Sequence, residues 1–121
     1  MTAMQRRKGA RGELEFLRHL GSELGEMLQR NLSQTRDSGA DCIQLKGYAI
    51  EVKRQEKLSR PKWWKQAKAS AAALGVEPIM AYRQNRKPWA VWMRSHKTGQ
   101  VEEMTVAECA GEIREKWLRW P

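Results

Sequence analysis

Residues 41–54, DCIQLKGYAIEVKR, constrain the fold more than any other stretch of the chain. Two short runs meet at Lys46-Gly47, and a glycine there lets the backbone reverse in a tight turn. In the second run Tyr48, Ile50 and Val52 alternate with Ala49, Glu51 and Lys53. Successive side chains of a strand point to opposite faces. One face of this hairpin is therefore apolar, and the other carries a carboxylate and an ammonium two residues apart. The remaining chain has to cover that apolar face.

Helical patterns on both sides supply the cover. Leu17, Leu20 and Leu24 share one face of a helix expected over about residues 8–28, weakened in its second half by Gly21 and Gly25. Residues 31–36 (NLSQTR) read as a short strand and Asp37-Ser38-Gly39 as a turn. Pro61 opens a second helix carrying Trp63, Trp64, Ala67, Ala71 and Leu74, and Gly75 ends it. Two further strands follow, 78–82 (PIMAY) and 89–94 (WAVWMR), with a basic loop between them. Thr105 and Glu108 have capping-box spacing and open a third helix through Val106, Cys109, Ile113, Trp117 and Trp120. This order predicts an α/β chain with a mixed β-sheet flanked by helices. The 121 residues suit one domain, expected over 8–121 behind a basic flexible arm at 1–7.

The charge balance narrows the partner. The net charge of +9 favours a polyanion such as nucleic acid. No apolar run approaches a membrane span, and the basic N-terminus lacks the apolar stretch of a signal peptide, so a cytoplasmic protein is expected. Cys42 and Cys109 are far apart with no zinc spacing, which predicts reduced, structural thiols.

Chemistry is expected around Asp41, Glu51 and Lys53. Glu51 and Lys53 project from one face of a strand, and Asp41 starts the other arm of the hairpin. Two neighbouring carboxylates repel when ionised, and a hard divalent cation with oxygen ligands, magnesium or manganese, relieves that repulsion. A lysine beside such a cation suits phosphodiester hydrolysis, because it can orient water and offset charge on the phosphorane. The plainer alternative is a solvated cross-strand ion pair. Glu13 adds a third acid on the Leu17–Leu20–Leu24 stripe, where an unpaired carboxylate is costly; it can equally serve the helix dipole. Glu15 falls on the opposite, solvated face. Gln66 flanks the apolar stripe of the second helix, either to hold water or phosphate or as an ordinary boundary residue.

Lys8-Gly9 with Glu13, Gly39-Ala40-Asp41, Ile50-Glu51-Val52-Lys53 and Gln66 together resemble the PD-(D/E)xK nuclease superfamily, and within it the small Holliday-junction resolvases of archaea and phages. The resemblance covers about residues 8–70. It implies a restriction-endonuclease-like core, magnesium dependence with manganese as a substitute, and cleavage leaving a 5′-phosphate. It implies that Glu13, Asp41 and Glu51 match the acidic positions, that the carbonyl of Val52 joins the metal shell, that Lys53 matches the catalytic lysine and that Gln66 matches the glutamine of the following helix. Resolvases of this kind are homodimers acting on branched DNA. Ala40 replaces the proline of the motif name, and the loop before Asp41 is shorter than in archaeal resolvases, which bears on junction preference more than on catalysis.

Three basic clusters surround the expected site: Arg6, Arg7, Lys8 and Arg11; Lys57, Arg60, Lys62 and Lys65; and Arg83, Arg86 and Lys87. Phosphate contacts from such groups position a duplex without reading its sequence. Of six tryptophans, Trp64, Trp117 and Trp120 fit core stripes, while Trp63, Trp89 and Trp92 suit a dimer interface better than base stacking. The leading expectation is a structure-selective DNA endonuclease. The alternatives are a nuclease of flaps, ends or duplex without junction preference, and a non-catalytic basic DNA-binding module.

Overall fold

The computed structural model describes residues 3–25, 42–54 and 57–119, with side chains from residue 11 onward. In chain order these are α1 (Ala3–Leu24), β1 (Ile43–Leu45), β2 (Tyr48–Arg54), α2 (Arg60–Leu74), β3 (Glu77–Arg83), β4 (Ala90–Arg94), β5 (Val101–Met104) and α3 (Val106–Arg119). The strands form one mixed sheet whose spatial order repeats the chain order. β1 and β2 are the antiparallel hairpin, with Ile43 opposite Ile50 and Leu45 opposite Tyr48. β2 and β3 are parallel, and α2 is the crossover that a parallel pair requires. β3–β4 and β4–β5 are antiparallel.

Strand alternation divides the molecule into two unequal halves. Tyr48, Ile50, Ile79, Ala81, Val91 and Met93 face α1 and α3, where they meet Phe16, Leu17, Leu20, Cys109 and Ile113. On the other face, among the described elements, lies α2. There Ala71 packs on Ala49 and Cys42, and Trp63 and Ala67 pack on Met80 and Tyr82. Both cysteines are free and buried. No described helix is long and apolar enough to cross a membrane.

The capping box forms as its spacing predicts: the amide of Thr105 donates to Glu108 Oε1 at 2.9 Å, and the amide of Glu108 donates to Thr105 Oγ1 at 3.1 Å. Gly75 ends α2 in the left-handed conformation. The hairpin turn is clamped by the far end of α3, where Lys116 Nζ donates to the carbonyl of Gly47 at 3.0 Å and Trp117 Nε1 to that of Lys46 at 2.9 Å. Gly47 has φ of 81°, and a Cβ there would lie 3.1 Å from the Lys116 side chain.

Several expectations change. α1 begins at Ala3 rather than near Lys8, so residues 3–7 continue the helix instead of forming an arm. β5 has no counterpart in the sequence reading, because VEEM is mostly exposed and carries no apolar face of its own. Trp63 and Trp89 are core residues, 4% and 5% exposed, and are not available to an interface. A sheet with helices on both faces has a core on each, and Trp89 is buried in one and Trp63 in the other. Trp89 stacks at a tilt on Phe16, with centroids 5.2 Å apart. Trp64 is half-buried and leans on Trp92. The short strand and turn expected over 31–39, and Trp120, lie outside the described residues.

Candidate active site

Glu51 and Lys53 sit side by side on the α2 face of β2, as the alternation requires. Glu51 is only 8% exposed. The hydroxyl of Ser70, from α2 above it, donates to Glu51 Oε1 at 3.1 Å. Because β2 and β3 are parallel, α2 runs back against β2, so its earlier turns lie toward the Lys53 end. Gln66 precedes Ser70 by one turn, about 6 Å along the helix. Lys53 lies about 6.6 Å beyond Glu51 along the strand. Gln66 is therefore level with Lys53, as Ser70 is with Glu51, and its side chain is exposed. Lys53 is half-buried.

The neighbouring strand adds residues that the sequence reading missed. Lys53 is in register with Tyr82 of β3. The Tyr82 hydroxyl donates to Glu103 of β5, which also accepts from Trp92 Nε1 at 2.9 Å. Arg60, at the start of α2, lies with Nη1 3.5 Å from the Tyr82 oxygen and 3.9 Å from Glu103. The Tyr82 hydroxyl, then Trp92 and the Arg60 charge, hold the Glu103 carboxyl below its ordinary range; burial and Glu103 raise Tyr82. Ser70 was legible in principle as a small polar residue one turn from Gln66. The Tyr82–Glu103 link was not, because it depends on which strands are neighbours.

Glu13 lies on the buried stripe of α1, as expected, with Oε2 out of solvent. α1 covers the opposite face of the sheet from Glu51. Glu15, expected in solvent, instead ties α1 to the ends of β2 and β3. Its carboxylate pairs with Arg54 Nη1 at 3.3 Å, pairs closely with Arg83, and accepts from Trp89 Nε1 at 3.2 Å. The reason is tertiary: Arg54 and Arg83 are partners in the parallel ladder, so two guanidiniums meet beneath α1. Arg83 thus engages an acid of its own chain, and its Nε donates to the carbonyl of Lys87 at 2.8 Å. Arg11, Lys57, Arg60, Lys62, Lys65, Arg86 and Lys87 are exposed. Arg6, Arg7 and Lys8 fall within α1.

Asp41 lies outside the described residues, next to Cys42, which is buried against Ala49 and Ala71. Among the described residues no three acids, cysteines or histidines gather into a metal-holding group. The donor chemistry nevertheless suits a hard cation. Glu51 is a buried carboxylate, and the oxygens of a carboxylate and a strand carbonyl are what magnesium takes.

Comparison with curated proteins finds no match. Among solved structures, a Holliday junction resolvase from the archaeal hyperthermophile Archaeoglobus fulgidus, Hjc, is similar at 21% identity and a TM-score of 0.49, covering 85% of this chain and all of that one. A family model described as phage putative PDDEXK endonuclease matches residues 4–114. That span takes in α1, the hairpin with Glu51 and Lys53, α2 and most of α3, and the chain belongs to this family of PD-(D/E)xK nucleases.

Proposed function

We propose that the chain is a magnesium-dependent endodeoxyribonuclease selective for branched DNA, with four-way junctions as its preferred substrate. The observation that carries the nuclease reading is the placement of Glu51 and Lys53: adjacent on one strand face, the acid buried beneath a helix hydroxyl, the ammonium at the more open end. The family match supports the same reading. Junction preference rests on the motif resemblance to small resolvases.

Asp41, Glu51 and the carbonyl of Val52 would hold the cation; Glu13, on the α1 side of the sheet, stands apart from that shell. Bound there, magnesium would polarise a phosphate oxygen and lower the pKa of the attacking water. Lys53 orients that water and offsets negative charge as the phosphorane forms. Ser70 fixes the Glu51 carboxylate. Gln66, level with Lys53, is placed to hold the water or a phosphate oxygen. Arg11, Lys57, Lys62, Lys65, Arg86 and Lys87 are exposed cations for backbone phosphates, together with Arg6, Arg7 and Lys8. A homodimer would place two such sites on opposing strands of a junction.

The test is a substrate panel of four-way junction, flap, linear duplex and single strand, each with magnesium and with EDTA. Cleavage should require the metal and be fastest on the junction. Lys53→Ala and Asp41→Asn should each cut roughly 100- to 1,000-fold more slowly while binding DNA normally, on the scale of losing one transition-state contact. Parent-like cutting by either variant would remove the nuclease assignment, and equal rates across the panel would leave a nuclease without junction preference.

A further inference from the structure

One feature of the α2 face lies outside the catalytic set. Trp64 and Trp92 are both partly buried and touch at a tilt, with ring centroids 6.3 Å apart. Glu51, Met80, Trp92 and Glu103 stand in one line across β2, β3, β4 and β5. At the spacing of adjacent strands, Trp92 is about 10 Å from Glu51, measured between backbones. The Trp92 indole N–H is already bound by Glu103, which fixes the ring, and both tryptophans lean on the buried cluster of Trp63, Ala67, Met80 and Tyr82.

Charge identifies what such a surface takes. Arg60, Trp64 and Lys68 follow one another at i, i+4 and i+8, so they form a cation–aromatic–cation stripe along one face of α2. Both cations of the stripe are exposed. Glu103 is the acid in contact with the patch, and its charge is shared among Tyr82, Trp92 and Arg60. Aromatic rings interleaved with cations are how proteins hold unpaired nucleotides, because every base offers a face to stack on and the backbone offers phosphates to the cations. A second copy of a chain with net charge +9 would bring the same cations against these ones.

We infer that the Trp64–Trp92 pair, with Arg60 and Lys68, is a stacking site for an unpaired nucleotide of the DNA strand next to the cut. It rests on the nuclease reading and sharpens it: a nucleotide splayed out of the branch point would lie within reach of Glu51 and Lys53.

The experiment measures binding of a fluorescent oligodeoxythymidine and of a duplex of equal length, in EDTA, to the parent and to Trp64 variants. Trp64→Ala and Trp64→Leu should weaken oligodeoxythymidine binding roughly 5- to 150-fold, with duplex binding within about twofold, and Trp64→Phe should restore most of the loss. Thermal melting of each variant verifies the fold. Equal losses on both ligands, or no loss on oligodeoxythymidine, overturn the inference. So does sedimentation showing that the substitutions split a dimer while oligodeoxythymidine binding stays intact, which would make the patch an interface between copies. Failure of the nuclease reading shows elsewhere: Lys53→Ala would then cut like the parent, whatever Trp64 does to binding.

Discussion

The two faces of the sheet are built from different materials. Toward α1 and α3 the strands present Ile50, Ile79, Val91 and Met93 to Phe16, Leu17, Leu20 and Ile113, all at most 2% exposed. Toward α2 they present Ala49, Glu51, Lys53, Met80, Tyr82 and Trp92, and the helix answers with alanines, Ser70 and two tryptophans. Large aliphatic side chains make the first face the source of stability, since burial of such groups contributes roughly 1.5–3 kcal/mol each. Small residues on the second face let α2 come close, and the polar side chains between them need partners, which ties that layer to chemistry.

Substitutions on each face should separate these roles. The largest effect is expected for Ile79→Ala on the aliphatic face. Denaturant unfolding should show a loss of about 2–5 kcal/mol, while the cleavage rate of the molecules that remain folded stays near that of the parent. Ser70→Ala on the other face should invert the pattern. Its hydrogen bond to Glu51 has a net worth of about 1 kcal/mol, so cleavage should slow about fivefold with a small change in melting temperature. A comparable rate loss in Ile79→Ala would erase the distinction between the faces.

The subtlest effect is the pH response of the aliphatic face. Burial, with help from Glu112, pushes the Cys109 thiol up to about 12 from an ordinary 9.0. A pKa raised in the folded state contributes stability that is complete below pH 9 and is lost as pH rises from there toward 12. Cys109→Ala should flatten that alkaline decline, and the parent thiol should resist a thiol reagent at pH 8 until the protein unfolds. Rapid labelling of native protein would show that this core opens locally.

Much of this arrangement could be read from residue order. Alternation in YAIEVKR placed Glu51 with Lys53 correctly, because a strand's period of two leaves no other choice. The Thr105–Glu108 box and Gly75 marked helix ends through local hydrogen-bond geometry. Other features were not legible. Val101–Met104 is a strand because β4 offers it an edge, and its own pattern gives no sign of this. Glu15 appeared to face solvent because its three partners come from β2, β3 and the residue just before β4.

The sequence by itself determined the hairpin, the existence of α1, α2 and α3, the shared strand face of Glu51 and Lys53 and the family to which they point, since each follows from spacing within one element. Only the tertiary structure decided that β2 and β3 run parallel under α2. That pairing sets Ser70 over Glu51 and lays Tyr82 beside Lys53, and with β4 added beside β3 it brings Trp64 down onto Trp92. Which strands become neighbours depends on how the helices share the two faces of the sheet, and local spacing carries no record of that choice.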